Sequence, residues 1–285
     1  MTELMNGLTQ GSLYALAAVG LSLIFGVVRV PHFAHGETLM VGGMVTLVLA
    51  ADHELPLPIA MLLGTAAATL LGVAMGVGIF YPMRRYSETN LLITSLALVF
   101  ITAAVASKVF GDTPRVIPGG LEDPVMLLGA RVSEMRLLIL GLTLVVFLGL
   151  SIWVVRSRAG MAMRAMALNG YAARLMGVRT LRLTVVVFAL GSALAGFSGA
   201  LLGTILPIQA SMGATISLKS FVIIIFAGMG SIPGALVGGL LLGLVESFGG
   251  SYLSSGYITS YAFIFLVAVL IIRPQGLFAS GANRD

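Results

Sequence analysis

The sequence predicts an all-α, polytopic helical membrane protein with about eight transmembrane segments, two of which are interrupted by glycine or proline. Three observations predict this class. The 285 residues are 58% apolar and 9% charged, with a mean hydropathy of +1.06. Apolar runs recur along the chain, and most are long enough to cross a hydrocarbon core of roughly 30 Å. The net charge of +5 is concentrated in short loops between them. We therefore expect a single membrane domain over residues 1–285.

The apolar segments follow one another in order, with short connections. They run over residues 8–28, 38–51, 56–83, 90–107, 137–155, 183–206, 219–246 and 257–272. Residues 1–7 carry no basic group, so we expect the first run to be a retained span and not a cleaved signal. The seventh run is broken at residues 228–234, and a chain reversal there would bring the C-terminus to the cytoplasmic side.

Charge predicts the orientation of the loops. Residues 156–182 hold six of the sixteen basic residues and no acid, and Arg84-Arg85 ends the third segment, so both should be cytoplasmic. Residues 108–136 carry four basic and four acidic residues, and we place them outside. The net charge thus indicates topology and not nucleic-acid binding.

The cytoplasmic loop 156–182 has a helical pattern of its own. Asn169 can cap a short helix over residues 171–176, and Gly177 can end it in the left-handed conformation. Tyr171 and Leu175 are four residues apart and share a face of that helix. The loop therefore offers an apolar surface either to a protein partner or to an anionic lipid surface. Its small residues favour protein contact.

Two interrupted segments stand near opposite ends of the chain, at residues 33–43 and 226–239. In each, a glycine-containing break runs directly into an apolar helix. Paired broken segments are the best sequence indication of a transport pathway, since irregular backbone at membrane depth needs protein or water beside it. A second interpretation remains open, in which both breaks are interfacial turns that serve packing alone.

Several classes of site are excluded or disfavoured. The chain has no cysteine, and its three histidines, at positions 32, 35 and 53, lack the spacing of a metal site or a catalytic triad. Neither lysine follows a glycine, so the phosphate-binding loop of ATPases is absent and the chain should not hydrolyse ATP itself. Glu37 and Glu246 lie close to apolar runs, where acids usually face a cavity, although a boundary position also explains Glu246.

Four ordered blocks of sequence resemble one family. They are Gly20-Leu-Ser-Leu-Ile-Phe-Gly26 with Phe33-Ala-His-Gly-Glu37, the loop pattern of residues 160–178, the block from Gly228 to Glu246, and Arg273-Pro-Gln-Gly-Leu-Phe278. Together they resemble the LivH-type permease subunits of ATP-binding-cassette (ABC) importers for branched-chain amino acids. Residues 31 and 32, Pro and His, depart from the family's usual apolar residue and asparagine.

The resemblance implies a transport subunit in the cytoplasmic (inner) membrane of a bacterium. Its partners would be a LivM-like second permease, two cytoplasmic ABC ATPases and a periplasmic substrate-binding protein. ATP and Mg²⁺ would bind to the ATPases, and this chain would bind no cofactor and no metal. The same architecture also serves urea, amides and other amino acids. From another class, the alternative is a stand-alone ion-coupled carrier, which should hold more acids within the membrane.

The resemblance and the residue patterns together give two sets of candidate residues. Those expected to couple the chain to an ATPase lie in the cytoplasmic loop: Gly160, Arg164, Ala165, Asn169, Tyr171, Ala173, Leu175, Met176 and Gly177. Those expected to line the translocation pathway lie in the two interrupted segments: Phe33, His35, Gly36, Glu37, Gly228, Gly230, Ser231 and Pro233. No catalytic residue is expected.

Overall fold

The computed structural model describes residues 2–121, 124–127, 130–228 and 230–272. The motif at residues 273–278 and the C-terminus itself lie outside the described residues.

The described residues form eleven α-helices, a 3₁₀ turn at Ser255–Tyr257 and one short hairpin. The helices are α1 (Thr2–Val28), α2 (His35–Ala51), α3 (Leu57–Met83, with a π-helical turn at Gly76–Phe80), α4 (Glu88–Phe110), α5 (Glu134–Arg156), α6 (Arg158–Leu168), α7 (Gly170–Leu175), α8 (Thr180–Leu202), α9 (Met212–Ala227), α10 (Ile232–Tyr252) and α11 (Ile258–Ile272). The antiparallel hairpin joins β1 (Pro124–Leu127) to β2 (Ala130–Ser133).

The polytopic helical class is confirmed. Six helices, α1, α3, α4, α5, α8 and α10, are long and apolar enough to cross a membrane. The shorter helices α2 and α9 and residues 255–268 are also apolar. The predicted boundaries of the long segments agree with the helices to within a few residues, except at the start of α1. That helix begins at Thr2 and so includes the polar residues before Leu8.

The seventh apolar segment is two helices that run in opposite directions. A Cβ added to Gly238 would lie 2.9 Å from the Phe226 side chain, and one added to Gly234 would lie 2.8 Å from the Ala227 carbonyl oxygen. Residues further along α10 thus face residues nearer the start of α9, so the two helices pack antiparallel. The predicted reversal at residues 228–234 is confirmed.

One predicted connection was wrong. Residues 207–218 were expected to be a loop, but α9 already begins at Met212. The physical reason is that Met212, Gly213 and Ile216 are buried against the rest of the bundle, so their burial stabilises helix in a stretch that reads as short and mixed.

Helix α1 lies at the centre of the bundle and packs antiparallel to α10. A Cβ on Gly7 would lie 2.9 Å from the Leu244 Cα, and one on Gly11 would lie 2.8 Å from the Gly239 carbonyl oxygen. Such backbone contact is possible only without side chains, as at small-residue interfaces between membrane helices. Most of α1 and α8 is buried, whereas α4 and α5 expose most of their apolar surface.

The connection 108–136 packs on one end of the bundle. The Ile117 amide donates to the Gly203 carbonyl (2.8 Å), and Ile117 is buried. The Arg115 guanidinium donates to Asp52 (2.6 Å), which lowers the pKa of that carboxyl, chiefly through the hydrogen bond. These contacts join the connection to the ends of α2 and α8.

Candidate transport pathway and coupling surface

The first interrupted segment returns the chain to membrane depth without a helix. Helix α1 ends at Val28, and Arg29 turns the chain with a φ of 58°. Yet the His35 Nε2 atom lies 2.9 Å from the Ala17 carbonyl oxygen, eleven residues back along α1. At 1.5 Å per residue this is about 16 Å. Residues 29–34 therefore run back beside α1, and α2 begins near the middle of the bundle.

Two serines satisfy the backbone of this returning segment. The Phe33 amide donates to Ser95 Oγ of α4 (2.6 Å), and the Gly36 amide donates to Ser217 Oγ of α9 (2.7 Å). The Ser217 hydroxyl in turn donates to the Phe33 carbonyl. Non-helical backbone within a membrane requires such partners. The interruption is therefore a built feature that links α2, α4 and α9.

Two polar side chains beside this segment are fully buried without a hydrogen-bond partner among the described residues. They are the Glu37 carboxylate and the His32 imidazole. Glu37 packs against Gly213, where an added Cβ would lie 2.4 to 2.7 Å from the carboxylate atoms. The His32 ring lies 5.0 Å from Phe80 and 5.4 Å from Phe188, between centroids. Buried polar groups are normally hydrogen-bonded, so unpaired groups of this kind indicate a role other than stabilising the fold.

The second interrupted segment has a different construction. Gly228 and Gly230 have φ values of +89° and +88°, which L side chains rarely adopt. Ser231 then caps α10 by accepting a hydrogen bond from the Gly234 amide (3.1 Å). A Cβ on Gly26 would lie 2.9 Å from the Gly230 Cα, so this break lies beside the end of α1.

The two interrupted segments do not form one site in the described structure. The first contacts α9 through Ser217 and through Phe221, whose ring stacks on Phe33 at 4.1 Å. Both residues precede the second break. Pro233 lies in the first turn of α10, where its missing amide costs nothing. Helix α9 thus contacts the first interrupted segment and leads into the second one.

A buried ionic network was missed by the sequence analysis. Lys219 Nζ donates to Glu246 Oε2 (2.8 Å) and lies 2.8 Å from Oε1. It also donates to the Tyr14 hydroxyl (2.8 Å), which donates to Glu246 Oε2 (3.0 Å). The Glu246 side chain is 1% exposed, which favours the interior position over the exposed one among the two alternatives that the sequence left open. The available signal was a lysine and a glutamate inside one otherwise apolar stretch.

The loop at residues 156–182 forms two helices, α6 and α7, and the predicted cap is present. Asn169 Oδ1 accepts hydrogen bonds from the Tyr171 and Ala172 amides, both at 3.0 Å. The chain leaves α7 through Gly177, which has a φ of +88°. Helix α7 spans residues 170–175, one residue earlier at each end than predicted.

Helix α7 presents apolar side chains to the surroundings. Tyr171, Leu175 and Met176 are 68%, 71% and 85% exposed. Ala173, another of the predicted coupling residues, is 5% exposed and does not share the exposed surface of Tyr171 and Leu175. In a helix of six residues, position 173 lies on the face opposite to 171 and 175, and that face packs on the chain itself.

Two of the predicted coupling residues hold the loop on α5. The Arg164 guanidinium donates to the Val154 (3.0 Å) and Val155 (3.1 Å) carbonyl oxygens, which end α5 without helical partners. Gly160 is buried against the Val154 backbone, and its amide donates to Ser157 Oγ (2.9 Å). Ala165 lies exposed on α6. The loop is thus attached rigidly to the bundle.

A cavity of about 540 Å³ separates α7 from the ends of α1 and α3. Its lining includes Arg29, Arg84 and Arg174, and no acid among the described residues. Arg84 stacks on the Tyr81 ring at 3.7 Å, and Arg29 donates to the Ala167 carbonyl (3.3 Å). This contact joins the end of α1 to α6.

Comparisons with known proteins agree with these features. The model of the family described as "Branched-chain amino acid transport system / permease component" matches residues 3–273. The chain is 33% identical to the high-affinity branched-chain amino acid transport system permease protein BraD of Pseudomonas aeruginosa, over 97% of this chain and 95% of that protein. It is 31% identical to LivH of Escherichia coli, over 97% and 94%.

More distant relatives extend the comparison. The ribose import permease protein RbsC of Escherichia coli is 24% identical, over 87% of this chain and 77% of that protein. Among solved structures, "PsaBC from Streptococcus pneumoniae in complex with Fab" has a TM-score of 0.55 at 13% identity, and the alignment covers 96% of this chain and 93% of that chain. This last likeness concerns the fold alone. Since the family model matches nearly the whole chain, the chain belongs to the family of permease components of branched-chain amino acid transport systems.

Proposed function

We propose that this chain is the membrane-spanning subunit of an ABC importer that carries leucine, isoleucine or valine across the cytoplasmic membrane of a bacterium. The observation that carries the proposal is the family match over residues 3–273, with relatives named as branched-chain amino acid permeases over nearly their whole length. Energy comes from separate ATPases, which bind the ATP and Mg²⁺.

The partners follow from the same family and from the surface of the chain. A related second permease completes the membrane part, two cytoplasmic ATPases bind the loops, and a periplasmic binding protein delivers the substrate. The exposed Tyr171, Leu175 and Met176 support the loop's role as the ATPase contact, because three large apolar side chains on one short helix and its C-cap suit burial against protein. We assign α7 as the coupling helix.

The attachment of α7 to the bundle supports transmission of its movement. Helix α6 is bonded to the end of α5 through Arg164 and to the end of α1 through Arg29. Helix α1 packs along α10 with glycines at the contact. A shift of α7 on ATP binding therefore moves α1 and α5 together, which is the rigid-body movement that alternating access requires.

We assign the translocation pathway to the region of the first interrupted segment. The support is the non-helical backbone at residues 29–34 beside α1, together with the unpartnered Glu37 carboxylate. Gly36 lies where α2 meets α9, and an added Cβ there would meet the Gly213 carbonyl oxygen and the Ser217 hydroxyl. A substitution of Gly36 would therefore disturb the packing of α2 on α9 and the proposed pathway at the same time.

The test is reconstitution. This chain is co-expressed with an ABC ATPase, a second permease of the family and a binding protein from the same organism, and the purified complex is placed in proteoliposomes. We expect ATP-dependent uptake of labelled leucine that requires the binding protein. Uptake driven by an ion gradient with no ATPase present would contradict the proposal and favour a stand-alone carrier. ATP-dependent uptake of urea or amides alone would retain the importer and replace the substrate.

A further inference from the structure

The N-terminal half of α1, which lies away from the loop 156–182, has one polar face. Glu3, Asn6, Gln10 and Tyr14 are spaced by three, four and four residues, so they share a face. Each contacts a polar group. The Ser247 hydroxyl donates to the Glu3 carbonyl (2.8 Å), Arg136 donates to Asn6, and Gln10 Nε2 donates to the Tyr14 hydroxyl (2.7 Å).

This polar face leads to the buried ion pair. Tyr14 lies twelve residues from Thr2, about 18 Å along the helix, and its hydroxyl contacts both Lys219 and Glu246. The opposite end of α1 is joined to α6 of the loop 156–182, where Arg29 donates to the Ala167 carbonyl (3.3 Å). By the distribution of positive charge, the polar face therefore opens toward the outside. Lys219 and Glu246 lie at its inner end, on α9 and α10.

Stability alone does not explain the retention of this pair. A buried ion pair is often matched or exceeded in stability by apolar residues of similar volume, because the two charges lose their hydration. Around it the same helical faces are apolar: Ile223 lies four residues after Lys219, Leu242 lies four residues before Glu246, and both are buried. Charged groups buried among apolar membrane helices often mark a substrate or ion route.

The pair is also the chemical complement of a free amino acid. The main chain of an amino acid carries one ammonium and one carboxylate close together. We propose that Glu246 and Lys219, with the Tyr14 hydroxyl, bind the ammonium and the carboxylate of an amino acid in transit, and that Glu3, Asn6 and Gln10 form the approach to this site. The inference rests on the proposed function and names the groups that recognise the substrate.

The exchange leaves no charge unpaired. In the described structure the Lys219 ammonium contacts both carboxylate oxygens of Glu246, each at 2.8 Å. When the substrate arrives, its ammonium takes the place of Lys219 at Glu246 and its carboxylate takes the place of Glu246 at Lys219. An amine or a carboxylic acid alone would replace one partner and leave the other charge buried and unpaired, which is costly. The site therefore selects zwitterions.

The first experiment removes both charges. The doubly neutral variant Lys219→Gln/Glu246→Gln is assembled with its partners and compared with Asp52→Asn/Arg115→Gln, which removes the exposed ion pair (2.6 Å). We expect the buried double variant to keep basal ATP hydrolysis and to lose leucine uptake by roughly thirtyfold or more. The exposed double variant should keep uptake within about twofold. Wild-type uptake by the buried double variant would show that the pair only packs helices, and would overturn the proposal.

The second experiment keeps both charges and so gives a result even where the double variant does not assemble. Gln10→Cys places a single thiol in a chain without cysteine. In nanodiscs without the binding protein, leucine should slow its reaction with an impermeant thiol reagent. Isoamylamine, which lacks the carboxylate, and 4-methylpentanoate, which lacks the ammonium, should not. Equal protection by all three, or none by leucine, overturns the site. If the wild-type complex imports no branched-chain amino acid, the proposed function falls instead.

Discussion

Replacement of Leu175 by glutamate is the sharpest test of the coupling helix. The side chain is 71% exposed. Full burial of a leucine contributes about 1.5–3 kcal/mol, so docking that covers this exposed part contributes about 1–2 kcal/mol. Leu175→Ala should therefore weaken ATPase binding by about 5- to 30-fold. Leu175→Glu adds the desolvation of an unpaired carboxylate, several kcal/mol more, and should release the ATPase.

The assay measures two quantities on purified complexes: the amount of ATPase that co-purifies, and the hydrolysis stimulated by the loaded binding protein. Met126→Glu is the matched control. Met126 is 66% exposed and lies in the hairpin that joins α4 to α5, at the opposite end of both helices from the basic loop. It should change neither quantity, because the ATPase binds on the other side of the membrane.

One result would refute the reasoning: full ATPase retention and full stimulation in Leu175→Glu. Arg174→Ala distinguishes the lipid-surface interpretation of the loop. If α7 lies on anionic lipid, loss of Arg174 should weaken its attachment more than a change at Leu175 does. If α7 docks on protein, Arg174, which lines the cavity beside α1, should have the smaller effect.

Three further outcomes are expected. A single cysteine at Gly170 should react with thiol reagents only from the cytoplasm and one at Pro118 only from outside, and the reverse labelling pattern would overturn the orientation. Gly72→Leu should lower the yield of folded protein, measured by size-exclusion chromatography, because even its Cβ would overlap Ser192. The pKa of Asp52 should rise toward its ordinary value in Arg115→Gln, and NMR titration of the carboxyl would measure this rise. Because the pKa is lowered in the folded state, the pair stabilises the wild-type protein above the unfolded pKa, and this contribution is lost as pH falls through the folded pKa.

Local signals in the sequence predicted local structure well. Asn169 and Gly177 define the ends of α7 because a cap and a left-handed residue act within one helical turn. The interruption near residue 33 and the reversal near residue 228 were also predicted, since a proline together with glycines disfavours continuous helix inside an apolar run. These features depend on the chain itself and need no knowledge of its neighbours.

What could not be predicted depends on contacts between distant residues. Lys219 and Glu246 read as the two ends of one span, yet the reversal between them brings their charges to 2.8 Å. Ala173 reads as part of an apolar surface, yet it packs against its own chain, because a six-residue helix must bury one face to be stable. Helix α9 starts at Met212 because Met212, Gly213 and Ile216 are buried against other parts of the bundle. No local pattern encodes these pairings.

Helix α1 brings the separate features into one mechanism. Its inner end is bonded to α6 through Arg29, its middle lies beside His35 at the start of α2, and its outer half carries the polar face that reaches Tyr14. Its contact with α10 is backbone to backbone at Gly7 and Gly11. We therefore expect a displacement of α7 to be passed along α1 to Tyr14. In the proposed mechanism the coupling surface and the buried ion pair are thus linked through a single helix, and ATP binding would open the pair that the substrate replaces.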